Sequence, residues 1–264
     1  MSGAAVIAAA REALRRNRRA PLTWGLPLGG LAALIVAIYP SMADNLTTLA
    51  REYPEALREA FNVGDLSTPE EFLNAEMFSL IVPLAVGYFM IRSIVSALPA
   101  AEEAGELDVV LATPVERREL VAGAFLASLL TSAAVLLVVL ALTLLASLIV
   151  DAGLGAGAAL AGAAEVWPLG VFFGGVAALI AGLTGRAALV TALSGGILVA
   201  MYVFDLAGKM ADDFSFLRHF SAFRLYGQAM VDGIDPPAFI GLALAGLLLA
   251  AVGAVAFERR DVAV

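Results

Sequence analysis

The chain alternates long apolar runs with short polar ones. Six runs stand out, at 21–40, 77–98, 120–150, 166–185, 187–205 and 236–257. Each is close to or above the roughly 20 residues that an α-helix needs to cross a bilayer core. The second is interrupted by Arg92, and the third runs from Leu120 to Val150 without a charge. A further uncharged stretch, Ala152–Ala164, is short and built mainly of Gly and Ala. It is expected to be an outer loop skimming the membrane rather than part of a span. The pattern predicts an all-α membrane protein with one domain over residues 1–264 and six transmembrane helices.

Composition agrees with the pattern. Of 264 residues, 61% are hydrophobic and 15% charged, and the mean hydropathy is +0.91. Soluble domains are about 45–50% apolar and about 25% charged, so this excess needs an apolar solvent. Soluble enzymes, nucleic-acid binders and disordered chains are excluded. With no cysteine and one histidine, His219, thiolate sites and Ser-His chemistry lose their residues, and no catalytic or metal-binding residue is expected.

Topology follows the placement of Lys and Arg. One side holds Arg11, Arg15, Arg16, Arg18, Arg19, Arg92, Arg117, Arg118, Arg186, Arg259 and Arg260. The other holds only Arg51, Arg58, Lys209, Arg218 and Arg224. An even number of spans then puts both termini in the cytoplasm. The net charge is −8, and the acids concentrate on the outer side, a pattern that hints at a salt-adapted or high-GC source.

Between the spans lie shorter structured segments. Val6, Ile7, Ala10 and Leu14 fall near one helical face, with Arg11, Arg15 and Arg18 on another. This predicts an N-terminal helix on the inner leaflet, either a simple anchor or a specific elbow, and not a cleaved signal. Outside, Leu46, Leu49, Tyr53, Leu57 and Phe61 recur at helical steps, and Thr68-Pro69-Glu70-Glu71 reads as a capped helix start. Phe214, Phe216, Phe220, Phe223 and Tyr226 form either an outer aromatic belt or a lid over an exit path. Glu165 and Asp205 sit at the outer edges of spans. Arg92, deep in span two, is expected to snorkel to the inner interface.

The longest cytoplasmic loop runs from Pro99 to Val121. Glu102, Glu103, Glu106 and Asp108 share it with an apolar face of Leu107, Val110 and Leu111, before Pro114 ends the helical pattern. Four to six residues would suffice to join two spans. The excess suits either a helix that docks into a partner's groove or a solvated helix that closes the turn.

Three segments carry a resemblance. Glu102-Glu103-Ala104-Gly105-Glu106-Leu107-Asp108, Leu111-Ala112-Thr113-Pro114 and Arg117-Arg118 with Gly123 resemble the inner loop of type-2 ABC exporter (ABC-2) permeases. Phe216-Leu217-Arg218-His219-Phe220-Ser221-Ala222-Phe223, with Gly233-Ile234-Asp235, is similar to that family's outer segment. Phe257-Glu258-Arg259-Arg260-Asp261 is similar to its C-terminus. The three occur in the family's order across the whole chain. Ala124 stands where a lysine is frequent, and Ala222 where the family has proline.

The resemblance implies a permease subunit that is not itself an enzyme. ATP and Mg would be bound by two copies of a separate ATP-binding subunit. No G-x-x-x-x-G-K-[ST] occurs in the chain, and Gly29-Gly30, Gly174-Gly175 and Gly195-Gly196 read as sites of close helix packing. A second permease, identical or paralogous, would complete the unit in a prokaryotic plasma membrane. Glu102, Glu103, Gly105, Glu106, Leu107, Asp108, Leu111, Thr113, Pro114 and Arg117 would form the coupling helix. The cargo would be hydrophobic or amphipathic. The competing classes are a secondary transporter or channel, which should show polar midplane residues or repeated breaks, and an intramembrane enzyme. Within the exporters, lipid or polysaccharide export and metal-centre maturation stay open.

Overall fold

A computed structural model describes residues 3–52, 54, 66–105 and 116–259, all helical or irregular with no strand among them. Helix α1 (Gly3–Arg16) leads through a π-type turn (Pro21–Gly25) into α2 (Leu26–Glu52). After α3 (Pro69–Leu73) and a second π-type turn (Asn74–Phe78) come α4 (Ile81–Ala97) and its short continuation α5 (Pro99–Glu103). The long helices α6 (Arg117–Val150), α7 (Ala156–Thr184) and α8 (Ala187–Met210) follow. Two 3₁₀ segments (Asp212–Phe220 and Ala222–Leu225) and α9 (Ala229–Asp232) lead to α10 (Pro236–Arg259). Among the described residues, helices α2, α4 with α5, α6, α7, α8 and α10 are the six long and apolar enough to span a membrane.

Helix α7 is the hub. It packs against α10, α4, α6 and α8, and most of its residues are buried within the protein. A helix apolar on every side is expected to sit inside a bundle. Its closest neighbour is α10. Gly175 faces the backbone of Gly246, and Gly182 faces that of Gly253, so two glycine pairs seven residues apart bring the helices into backbone contact. Small residues are how helices attract each other in lipid, where no hydrophobic drive acts between them. By contrast, α2, α6, α8 and α10 expose large aliphatic side chains such as Leu34, Leu148, Val199 and Leu248, as a lipid-facing ring should.

One expectation is overturned. The segment 152–164 is not a surface loop, because α7 already begins at Ala156. Asp151 (φ 52°) and Gly153 (φ 76°) turn the chain sharply after α6, and Glu70 accepts a 2.7 Å bond from the Gly155 amide just ahead of α7. The small residues Ala159, Gly162 and Ala163 are buried in packing, with Gly162 lying against Met230. Small size here signals close approach, not a loop. Span one likewise extends beyond residue 40, with Pro40 inside α2.

Thr68 does cap α3. Its hydroxyl accepts the Glu71 amide while Glu71 reaches back to the Thr68 amide, and Pro69 holds the first helical position. The tight turn between α7 and α8 rests on Gly185 at φ 64°. Gly30, Gly195 and Gly196, expected at helix contacts, have open space where a side chain would go, whereas Gly29 and Gly174 are packed.

Candidate functional site

Contacts between element ends divide the bundle into two faces. At the end holding both described termini, α1 lies against the start of α6, with Gly123 admitting the Ala9 side chain and the backbone at Val6 and Ala10. Ala10 and Ala13 are buried there, while Ile7, Arg11, Arg15 and Arg18 are exposed. So Ile7 leaves the apolar face expected of α1. The helix is also held by a buried relay. Asn17 Nδ2 donates to Ser93 Oγ at 2.8 Å, Ser93 meets Ser128 Oγ at 2.7 Å, and Ser128 donates to the Ala124 carbonyl at 2.9 Å. With the Ser128 proton committed to Ala124, Ser93 is the donor in the middle step. Sequence patterning missed this relay, because its members lie 76 and 35 positions apart.

Of the expected coupling residues, Glu102, Glu103, Gly105 and Arg117 are described. Glu106, Leu107, Asp108, Leu111, Thr113 and Pro114 lie outside the described residues. Gly105 takes φ 69°, the left-handed region open to glycine. Glu103 Oε1 accepts the Ala187 amide at 2.9 Å, which ties α5 to the first turn of α8. A carboxylate at a helix N-terminus also faces its positive dipole end. Glu116 caps α6. Its side chain accepts the Glu119 amide, Glu119 reaches back to the Glu116 amide, and Arg118 Nε pairs with Glu116 Oε2 at 2.5 Å. That hydrogen bond holds the Glu116 carboxyl below its usual pKa. The described part of this region thus ties α5 to the start of α8, while the Glu116 cap is local to the first turn of α6. Arg92, on α4, is exposed.

The opposite end is a polar cap. Glu165 and Asp205, expected only at span edges, are buried and fully engaged. Glu165 accepts the amides of Gly227 (3.1 Å) and Ala229 (2.7 Å), pinning the start of α9 to α7. Asp205 holds Lys209 at 3.0 Å and Arg218 at 3.1 Å. Asn74 donates to Gln228, and the Tyr226 hydroxyl donates to the Phe78 carbonyl at 2.8 Å. Burial pushes the Tyr226 phenol well above its usual pKa, so it stays a donor. The aromatic group splits in two. Phe214, Phe216 and Phe220 are exposed, whereas Phe223 and Tyr226 are buried, with Phe223 packed on Phe173 and Tyr202.

Along the sides, two apolar grooves follow α6. One of about 480 Å³ lies between α6 and α10 towards the end holding the termini. Another of about 260 Å³ lies between α6, α7 and α10 towards the polar cap. Between them Trp167 Nε1 donates to the Leu129 carbonyl at 3.2 Å.

This bundle, with its hub helix and six spans, coincides with a family match covering most of the chain. The model of the family described as "Multidrug efflux system permease Rv1217c, C-terminal domain" matches residues 12–258. The chain belongs to that family. It is a multi-pass membrane protein, and membership supports a permease role for it. No curated protein matches it significantly.

Proposed function

We propose that this chain is the membrane half of an ATP-driven exporter of the ABC-2 type, moving hydrophobic or amphipathic drug-like molecules outward. The observation that carries the reading is the multidrug-efflux-permease match over residues 12–258, which spans all six apolar helices and the loop with the ABC-2-like residues. In this reading the termini are cytoplasmic and the membrane is the cell membrane. Two ATP-binding subunits hold ATP and Mg, and a second permease completes the complex. The segment from Glu102 to Arg117 receives the force of ATP binding. The Glu103–Ala187 hydrogen bond and the Glu116 cap offer a route for it, because both fasten this segment to the starts of α8 and α6.

The test is a pair of substitutions in the complex. Apolar anchors carry most of the energy of a docked helix, and exposed ion pairs at its rim add only about 0–1 kcal/mol each. Leu107→Asp is expected to strip the ATPase from the purified permease, or to abolish substrate-stimulated ATP hydrolysis, with the permease still folded in the membrane. Glu106→Gln should do much less. Full assembly and transport in Leu107→Asp would remove the coupling assignment.

A further inference from the structure

Helix α8 is tied by polar bonds to both faces of the bundle. At its start the Ala187 amide donates to Glu103 Oε1 at 2.9 Å, which belongs to α5. Further along, the Met201 carbonyl accepts the Ser221 hydroxyl at 2.6 Å and Asp205 holds Arg218 at 3.1 Å, both within the polar cap. Ser194-Gly195-Gly196 lies midway between Ala187 and Met201. On the inward side of α8, which packs on α4 and α7, Val190, Ser194 and Leu198 are buried.

Two observations single out this triplet. A Cβ added at Gly195 or Gly196 would meet nothing within 4 Å, so packing within the bundle explains neither glycine. Tandem glycines weaken a helix, because glycine loses more backbone freedom there than any other residue. The second observation is the Ser194 hydroxyl, which is fully buried and has no hydrogen-bond partner among the described residues. In the same spans Thr131, Thr143, Thr184 and Thr191 each donate to the carbonyl four positions back, at 2.7–2.9 Å. Ser194 instead holds a donor in reserve.

A bend at these glycines breaks i→i−4 bonds, among them the one that joins the Gly195 amide to the Thr191 carbonyl. In an apolar solvent the freed carbonyl needs a new donor, and in transmembrane helices Ser and Thr side chains supply it. A serine hydroxyl reaches three positions back, as Ser132 does to Leu129 at 2.9 Å, and three back from Ser194 is Thr191.

We propose that Ser194-Gly195-Gly196 is a hinge. At it α8 bends so that its start moves with α5 and its outer half with the polar cap, while the Ser194 hydroxyl donates to the Thr191 carbonyl. The hinge belongs to the chain itself, whatever powers transport.

Because the chain has no cysteine, spin labels can be placed in pairs on introduced cysteines. One pair joins Leu189→Cys, near the start of α8, to Val255→Cys on α10. The other joins Met210→Cys, at the end of α8, to Ile240→Cys on α10, and all four positions are exposed. Helix α10 serves as the frame because its glycine contacts fix it to α7. Distances are read by pulsed electron paramagnetic resonance on the full-length protein in lipid nanodiscs, diluted with unlabelled copies. At 1.5 Å per residue, a bend of about 20° moves the Met210 label by about 8 Å or the Leu189 label by about 3 Å. The parent should show two distances in at least one pair. Gly195→Ala combined with Gly196→Ala, which the open space admits, should leave one. Ser194→Ala should reduce the bent population about fivefold, the effect of one hydrogen bond, and leave the other distance in place. A single distance for both pairs in the parent would overturn the proposal. So would two distances persisting in the double alanine variant, or an unchanged bent population in Ser194→Ala. Loss of association between copies in the double alanine variant, with unaltered distances, would overturn it in favour of a helix–helix interface.

Discussion

Replacing Gly246 by alanine adds one methyl where α10 meets α7. That methyl would lie 2.5 Å from the Val171 carbonyl oxygen, 2.6 Å from its carbon and 2.7 Å from the Phe172 nitrogen, whereas ordinary contact begins near 3.4 Å. The obstacles are backbone atoms, so no rotamer change relieves them. The helices must separate by about 1 Å, and a radial gap of 0.5–1 Å forfeits a quarter to a half of each dispersion well along the seam. Overpacking of this kind costs about 1–3 kcal/mol. Gly241→Ala, on the same helix with open space at the added methyl, is the control. Thermal unfolding of the purified permease in one detergent, followed by loss of monodisperse protein, is expected to show a clear drop for Gly246→Ala and none for Gly241→Ala. Because a methyl at Gly175 would fall on the Gly246 backbone, Gly175→Ala combined with Gly246→Ala should cost less than the two added separately. Coincident unfolding of Gly246→Ala and the parent would refute the claim that α7 and α10 are in backbone contact.

Three other outcomes follow from the two faces. Glu165→Leu should cost about 1–3 kcal/mol for each orphaned amide of Gly227 and Ala229, and Glu165→Gln less, read as faster hydrogen exchange at 227–232; unchanged exchange in the Leu variant would contradict the anchoring role. Because Arg118 depresses the Glu116 pKa, this pair stabilises the fold above the unfolded carboxylate pKa and loses that contribution as pH falls through the lower folded value. Stability measured through the acid range should thus fall less steeply in Glu116→Gln than in the parent, and superimposable acid limbs would count against the pairing. For orientation, single cysteines replacing Glu55 or Asp232 should react with an impermeant reagent from outside intact cells only, and labelling from the cytoplasmic side alone would reverse the topology.

Much of the candidate site was readable from particular residues. Thr68-Pro69 with Glu71 announced a helix start, since capping uses side chains within three positions of the backbone they serve. The single residue left between the runs at 166–185 and 187–205 leaves room only for a tight turn, which Gly185 makes at φ 64°. Glu103 illustrates the limit. On an amphipathic loop it read as part of a docking or solvated helix, yet it bonds the amide of Ala187, 84 positions away. Glu165 and Asp205 read as edge charges, but their partners are supplied by segments that fold back over α7 and α8.

The sequence by itself determined that this is a multi-pass membrane protein, with six segments long and apolar enough to cross a bilayer among the described residues. Those properties depend on hydropathy summed over about 20 residues, which is written along the chain. Tertiary structure alone decided what the small residues mean. Gly175 and Gly246 lie in backbone contact, Gly195 and Gly196 face open space, and most of the Gly/Ala run at 152–164 forms the first turns of α7, from Ala156 onward. A residue without a side chain carries no signature of its neighbour. Whether it marks a contact, a bend or a lipid-facing gap depends on which helix arrives opposite, and in an apolar solvent hydrophobicity cannot specify that choice.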